Sequence, residues 1–213
     1  MRVALIDYGA GNLRSASRAL AAAGVDPIIV SQPAGLAATD TIVVPGVGAF
    51  APAMRRLAAA GLVDAIQSAA QRGVPLVGIC LGMQLLFDRS EEGEPVPGLS
   101  LLPGIVRRLP ESVKVPHMGW NTLEPRGASP LFAGLPLRPF AYFVHSYIVR
   151  PADPACVAAE TEYGTRFASI VHSGRIWGLQ FHPEKSSAVG ARLLRNLLAQ
   201  IAGERRVAPR GTI

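Results

Sequence analysis

Cys80 is the residue whose surroundings best suit a nucleophile. Gly78 and Gly82 flank it symmetrically, in the spacing of a nucleophile elbow that carries sulfur in place of a serine oxygen. The apolar run 74–77 predicts a buried strand before this turn, and the run 85–87 predicts a helix after it. A thiol on such a turn is exposed at a sheet edge, where free backbone N–H groups and a helix N-terminus favour the thiolate. A buried structural cysteine would also fit this spacing.

A nucleophilic cysteine needs a general base, and His182 is the best placed of the four histidines. It follows the predicted strand 176–180, so it should also lie at a strand end. Glu184 stands two residues further on, where its carboxylate can accept the imidazole N–H and turn the other ring nitrogen toward sulfur. The three residues therefore predict a Cys-His-Glu triad.

Strands and helices alternate in the first half of the chain. Strands are predicted at 3–6, 27–30, 41–44 and 74–77, and helices at 13–23 and about 51–71. This alternation implies right-handed crossovers and a parallel sheet with helices on both faces. Because ligands bind at the carboxyl ends of such strands, the loops at 7–12, 45–50 and 78–84 should share one edge.

The second half changes character, with Pro- and Gly-rich stretches at 93–110 and 125–139. Short loops between its strands predict an antiparallel meander, including a hairpin turn at 172–175. The predicted elements are strands at 141–149, 156–160, 168–172 and 176–180, and a final helix at 187–202. No linker divides the chain, so we expect one domain over residues 1–203 and a frayed tail at 204–213.

The composition excludes several classes of protein. Hydrophobic residues make up 49% of the 213 and charged residues 17%, which is typical of a globular chain. No apolar run approaches the length of a membrane span, and the N-terminus carries no signal-peptide pattern. Cys80 and Cys156 are too few for a disulfide scaffold, which fits a reducing cytoplasm, and Cys156 is interpreted as structural.

Nucleic-acid and cofactor binding are not indicated either. The net charge is +6 and the pI is about 10.0, but the basic residues are scattered and form no patch interleaved with aromatics. The loop at 7–12 lacks the third glycine of a dinucleotide fingerprint, because position 14 is arginine. No metal-ligand spacing is present, so neither cofactor nor metal is expected.

The string Gly-Ile-Cys-Leu-Gly-Met-Gln at 78–84 and the string Gln-Phe-His-Pro-Glu at 180–184 together resemble the class I, triad-type glutamine amidotransferases. Pro-Gly-Val-Gly at 45–48 is similar to the oxyanion strand of that family. The resemblance covers nearly the whole chain. It implies a three-layer α/β/α fold around a central, mostly parallel mixed sheet. It also implies hydrolysis of glutamine through a thioester on Cys80, with His182 as base and Glu184 as its orienter.

The same resemblance implies roles for residues around the triad. The N–H of Leu81 would be one oxyanion donor, and the loop 46–48 would supply the other. A side chain and main-chain groups from three segments would contact the glutamine. The residues expected to form the oxyanion hole and to bind glutamine are Gly46, Val47, Gly48, Leu81, Gln84, His145, Ser146 and Tyr147.

Within the family, five strings resemble the glutaminase subunits of imidazole glycerol phosphate synthases, which serve histidine biosynthesis; they lie at 7–12, 45–50, 116–121, 144–147 and 182–186. Those subunits form a heterodimer with a (β/α)8-barrel cyclase subunit. The cyclase takes the ammonia internally and makes imidazole glycerol phosphate and an aminoimidazole carboxamide ribotide. Asn12, Trp120 and Lys185 are the candidates for the docking surface, because they lie in or beside strand-end loops.

Three other interpretations stay open at this stage. The first is a glutaminase that serves another amidotransferase, such as a pyridoxal phosphate synthase, although Trp120 and Val47 count against it. The second is a non-catalytic interaction subunit, and the third is a cysteine hydrolase without a partner. A further hypothesis is that Val47 disfavours a peptide flip in the oxyanion loop, because a β-branched residue avoids positive φ. The isolated chain would then be a poor glutaminase until its partner bound substrate.

Overall fold

The computed structural model of this protein describes residues 1–9 and 11–207. Within them the chain forms, in order, β1 (Val3–Ile6), α1 (Leu13–Ala22), β2 (Pro27–Val30), β3 (Thr41–Val44), α2 (Phe50–Ala59), α3 (Leu62–Gln71), β4 (Leu76–Ile79), α4 (Leu81–Leu85), β5 (Phe87–Ser90), β6 (Leu102–Arg108), β7 (His117–Thr122), β8 (Glu124–Pro125), β9 (Phe140–His145), β10 (Tyr147–Pro151), β11 (Val157–Glu162), β12 (Arg166–Ser173), β13 (Ile176–Leu179) and α5 (Ser187–Val207).

An eight-stranded mixed sheet forms the centre, in the order β2-β1-β3-β4-β13-β12-β11-β8. The first five strands in this order, β2-β1-β3-β4-β13, are parallel to one another. The last three, β12, β11 and β8, each pair antiparallel with the strand before them in the order. Two smaller sheets, β10-β6-β5 and β7-β9, complete the pairing. The predicted α/β fold is confirmed, and so is the hairpin that joins β12 to β13.

Helices cover both faces of the central sheet, because alternate residues of its buried strands point to opposite sides. Ala4 and Ile6 of β1 belong to a core that includes residues of α2 and α3. Val3 and Leu5 of the same strand belong to a second core with α1 and α5. The three layers follow from this double burial. Among the described residues, no helix has the length and apolar character needed to cross a membrane.

Two predicted boundaries in the first half were wrong. The helical pattern at 51–71 is two helices, because Gly61 adopts a left-handed conformation with φ of +67° and breaks the ladder. The run 85–87 does not continue the helix after Cys80. α4 ends at Leu85, and Phe87 begins β5, which pairs with β6. The helix behind the nucleophile is therefore five residues long, and its dipole is smaller than expected.

The second half departs further from the predicted elements. The strand expected at 141–149 divides at Ser146 into β9 and β10, which join different sheets. The prediction also missed β5, β6, β7 and β8, because pairing partners distant in sequence decide those strands.

The helix expected to end at Ala202 continues through Gly203 to Val207. A glycine lowers the stability of a helix by only about 1 kcal/mol relative to alanine, so the helix can continue past Gly203. Residues 208–213 of the predicted tail lie outside the described residues.

The parallel arrangement brings the three predicted loops to one edge. The glycines there pack against backbone. A β-carbon on Gly82 would stand 1.9 Å from the carbonyl oxygen of Val44, and one on Gly46 would stand 2.8 Å from the amide nitrogen of Gly82. A β-carbon on Gly78 would stand 2.5 Å from the carbonyl oxygen of Gly82. These contacts hold the turn at 78–82 against the loop after β3, and no side chain larger than hydrogen fits between them.

We therefore expect Gly82→Ala to destabilise the protein by about 3 kcal/mol or more, the upper end of overpacking costs. The reason is that the backbone of β3 or of the turn must move. Gly203→Ala is the matched control, since a β-carbon there meets nothing within 4 Å and alanine favours a helix. Urea unfolding of both variants checks this. Equal stability of Gly82→Ala and the unsubstituted chain would contradict the packing argument.

Candidate active site

Cys80 occupies a strained turn between β4 and α4. Its φ is +54° and its ψ is −111°, a conformation that non-glycine residues rarely adopt. Its amide nitrogen donates to the carbonyl oxygen of Leu179, at 2.7 Å. This bond extends the pairing of β4 with β13 into the turn and holds the strained residue in place. The side chain is buried, and its sulfur lies 3.9 Å from the carbonyl oxygen of Val144 and 3.9 Å from Nε2 of Gln180.

His182 and Glu184 follow β13, the strand next to β4. Nδ1 of His182 lies 2.8 Å from Oε1 of Glu184, and both side chains are almost fully buried. The backbone N–H of His182 donates to the carbonyl oxygen of Tyr142, and its carbonyl oxygen accepts from the Ser186 hydroxyl at 2.7 Å. Two hydrogen bonds thus hold the backbone of His182, and the Glu184 carboxylate orients its ring. Its Nε2 is buried without a hydrogen-bond partner of ordinary geometry, so it is available to Cys80.

The protonation of His182 is set by its neighbours. Burial lowers the pKa of His182, but its interactions with Cys80 and with the Glu184 carboxylate outweigh burial and raise that pKa to about 10. The imidazolium form is therefore favoured at neutral pH. That is the form which can donate a proton to a leaving group.

A cavity of about 360 Å³ opens beside the thiol. It is lined by most of the residues predicted from the sequence as triad, substrate or oxyanion residues. Its lining consists of Val47, Gly48, Cys80, Leu81, Gln84, Glu92, Pro116, Val144, His145, Ser146, Tyr147 and His182. Of the other two predicted residues, Glu184 lies behind His182, and Gly46 packs against the turn.

Gln84 is held rigidly at the floor of this cavity. It is buried, and its Nε2 donates to the carbonyl oxygen of Tyr147 at 3.0 Å and to Oε1 of Gln180 at 3.2 Å. Gln180 in turn points its own Nε2 at the sulfur of Cys80. An amide network therefore connects the segment 145–147 to the nucleophile.

Two functional candidates were missed by sequence reasoning. Glu92 lines the cavity, and its Oε2 accepts from the backbone N–H of Phe50 at the start of α2. The Tyr8 hydroxyl is buried and donates to the carbonyl oxygen of Pro45 at 2.9 Å, and burial raises the pKa of Tyr8 above its ordinary value. The Pro45 carbonyl and the Gly46 N–H belong to one planar peptide group. The bond from Tyr8 therefore also fixes the direction of the Gly46 N–H, which points away from that carbonyl. Neither residue carries a spacing signal, since both contacts span more than 35 positions.

Two of the three predicted docking residues, Trp120 and Lys185, lie beside the same ring, that of Tyr142. Trp120 on β7 is 53% exposed, and its ring lies 6.0 Å from that of Tyr142, edge to face. The ammonium of Lys185 stands 5.7 Å above the same Tyr142 ring. Asn12 has a local role, because its Oδ1 accepts from the N–H of Ser15 and caps α1. In the loop 46–48, Gly48 has a positive φ, of +99°, and Val47 does not. The hypothesis of a gate at Val47 stays a prediction.

Comparison with known proteins identifies the family. The sequence model described as "Glutamine amidotransferase class-I" matches residues 4–201. The chain belongs to the class I glutamine amidotransferases. Within that family it is 50% identical to "Imidazole glycerol phosphate synthase subunit HisH" of Moorella thermoacetica, over 91% of this chain and 92% of the relative. It is also 50% identical to the protein of the same name from Synechococcus sp. (strain JA-2-3B'a(2-13)), over 95% of this chain and 94% of the relative.

Solved structures support the class I amidotransferase fold. A structure titled "Crystal structure of glutamine amidotransferase" has a TM-score of 0.76 at 23% identity, and covers 95% of this chain and 100% of its own. "Structure of PurLQS from Thermotoga maritima" has a TM-score of 0.73 at 21% identity, and covers 94% of this chain and 98% of the matched one.

Among residues 1–9 and 11–207, no group of three or more His, Cys, Asp or Glu side chains is arranged to hold a metal ion.

The raised pKa of His182 predicts a pH-dependent stability. Since the folded value of about 10 exceeds the ordinary 6.5, protonation stabilises the fold. This contribution is complete below about pH 6.5 and is lost as the pH rises toward 10. We expect the stability difference between the unsubstituted chain and His182→Asn to fall by about 1.4 kcal/mol or more, the equivalent of one pKa unit. Urea unfolding at both pH values measures it, and a constant difference would contradict the assignment.

Proposed function

We propose that this chain is the glutaminase subunit of an imidazole glycerol phosphate synthase, which hydrolyses glutamine at Cys80 and passes the ammonia to a synthase partner. The observation that carries the proposal is the junction of β4 and β13, where Cys80 and the His182–Glu184 pair end neighbouring parallel strands. The chain is also 50% identical, over more than nine-tenths of both lengths, to relatives named as subunits of that synthase, and this similarity supports the choice of partner.

In the proposed reaction, the sulfur of Cys80 attacks the carboxamide carbon of glutamine, and the C–N bond breaks. His182 carries the thiol proton and delivers it to the departing ammonia, while Glu184 stabilises the imidazolium. Water then attacks the glutamyl thioester. This step releases glutamate and returns the proton to the Cys80–His182 pair.

The oxyanion of the tetrahedral intermediate needs two N–H donors. Leu81 is the first residue of α4, so its N–H has no acceptor within the helix. The second donor would come from the loop 46–48, which lines the cavity at Val47 and Gly48. One missing donor of this kind costs roughly 10²–10³ in rate. The position of this loop is therefore important for the rate of hydrolysis.

The remaining polar groups of the cavity suit an amino acid. Glu92 is the acidic side chain of the lining, and its Oε2 is already engaged by the N–H of Phe50. Its carboxylate is the group of the lining best suited to the α-ammonium of glutamine, as a charge-assisted hydrogen bond. Gln84 and the main chain of 145–147 would hold the rest of the substrate.

We expect Cys80→Ser to reduce glutamine hydrolysis by at least about 10³-fold, since triad members act as a unit. His182→Ala should have a comparable effect, and Glu184→Gln a smaller one, because an orienter assists but does not transfer the proton. Steady-state glutamate release by the complex measures this. Synthesis by the partner from added ammonia is the control and should survive Cys80→Ser. Glutamine-dependent synthesis by that variant would refute the nucleophile assignment.

The partner would dock on the outer face of the β7–β9 ribbon. Met118, Trp120 and Phe140 are 64%, 53% and 51% exposed there, and strand alternation places them on one face with Tyr142 and Val144. Val144 also lines the active-site cavity. An apolar surface that borders the site where ammonia forms would allow transfer without passage through bulk water.

Trp120→Ala should weaken the affinity for the partner by about tenfold or more, as expected for a central aromatic anchor. Lys185→Ala should mainly lower the association rate and its dependence on salt. Ile29→Ala is the matched control, since Ile29 is equally exposed, at 54%, but lies on the strand at one edge of the central sheet. Surface plasmon resonance at two salt concentrations measures all three. Unchanged binding by Trp120→Ala and Lys185→Ala would show that the docking face is wrong.

A further inference from the structure

Two buried histidines that the proposed reaction does not use lie in contact beside the cavity. His117 is 2% exposed and His145 is 6% exposed, and Nδ1 of His117 lies 3.0 Å from Nε2 of His145. The His117 ring is stacked between Phe143 and Tyr163, with ring centroids at 4.9 Å and 4.0 Å. Two aromatic faces therefore fix the plane of the imidazole. Only its ring edge is left for hydrogen bonding.

The direction of every hydrogen bond in this cluster follows from its two ends. Nδ1 of His145 lies 2.9 Å from the carbonyl oxygen of Tyr147, which can only accept. A neutral imidazole has one N–H, so Nε2 of His145 accepts and Nδ1 of His117 donates. Nε2 of His117 then accepts from Nδ2 of Asn121, at 3.3 Å. We call this chain of donors from Asn121 through His117 and His145 to the Tyr147 carbonyl the imidazole relay.

The orientation of Asn121 is set independently of the relay. Its Nδ2 donates to the carbonyl oxygen of Glu162 at 3.0 Å, and its Oδ1 accepts from the N–H of Thr122 at 2.8 Å. Burial lowers the pKa of His117 to about 4. Burial and the neighbouring His117 lower that of His145 to about 3. Both rings are therefore neutral at physiological pH, which the order of donors requires.

We propose that His117 and Asn121 are positioning residues for glutamine binding, which act through His145 to fix the backbone of the segment 145–147. The Tyr147 carbonyl accepts from both His145 and Gln84, and the Ser146 carbonyl accepts from the N–H of Leu109. With these carbonyls held, the peptide planes that border the cavity have one orientation. The proposal rests on the proposed glutaminase function of this site.

The relay predicts a change in substrate binding and not in chemistry. His117→Leu removes the donor to His145 and should raise the KM for glutamine about tenfold, the effect of one lost hydrogen bond, with little change in kcat. His117→Asn should restore a KM within about twofold, because its Nδ2 stands the same number of bonds from Cα as the imidazole Nδ1. Asn121→Ala should give a smaller rise of about threefold without disturbing the aromatic stack.

The matched control is His172→Leu. His172 is also stacked on an aromatic ring, that of Trp177, but it lies on β12 beside the hairpin that joins this strand to β13, away from Cys80. The KM of His172→Leu for glutamine should equal that of the unsubstituted chain. A role of His117 in folding alone would lower the yield of active enzyme and the melting temperature without a change in KM. It would also show no rescue by asparagine. An unchanged KM in both His117→Leu and Asn121→Ala would overturn the proposal.

A second measurement is made on the unsubstituted chain, and variants serve only to assign its signals. Nitrogen-15 NMR of the imidazole rings in the full chain, assigned with the single histidine variants, should show His117 and His145 both neutral and protonated at Nδ1 at pH 7. Protonation of either ring at Nε2 would overturn the relay. If the unsubstituted chain hydrolyses no glutamine, alone or with its partner, the proposed function fails. The NMR result then still decides whether the relay exists.

Discussion

The structure depends on one close backbone contact, between Gly82 and the carbonyl of Val44. A β-carbon at Gly82 would lie inside that carbonyl oxygen, and one at Gly46 would collide with the amide of Gly82. The contact brings the turn after β4 against the loop after β3. The contact therefore holds the nucleophile next to the loop proposed to stabilise its oxyanion. The strain at Cys80, with φ of +54°, persists because the buried strand before it, β4, is paired with β3 on one side and with β13 on the other.

The second constraint is the parallel pairing of β4 with β13. Neighbouring strands lie about 4.8 Å apart, so residues just beyond their ends are within reach of each other. Leu179 pairs with Ile79, and its carbonyl continues the ladder to the amide of Cys80. His182 follows three residues later, where Pro183 begins a short 3-10 turn that returns Glu184 to the ring. The triad geometry is thus a property of two strand ends and one turn.

The site contains histidines of opposite character. His182 interacts with Cys80 and Glu184, so its pKa rises although the ring is buried. His145 and His117 have no such anionic partner among the groups that set their pKa values, so burial keeps them neutral. One ring is therefore suited to carry a proton. The other two are suited to donate and accept in a fixed order. The environment of each ring, and not its residue type, decides which role it has.

The sequence by itself determined the alternation of strands and helices in the first half, the three loops at one edge, and the placement of Glu184 two residues after His182. Those features depend on periodicity and on spacings within a few residues, so a short stretch of sequence is enough to predict them. Only the tertiary structure decided that β9 and β10 separate at Ser146, that the Tyr8 hydroxyl holds Pro45, that Glu92 reaches the cavity, and that His117 meets His145. Each of these is a contact between segments distant in the chain. Side-chain packing between those segments selects such contacts, and no local pattern encodes them.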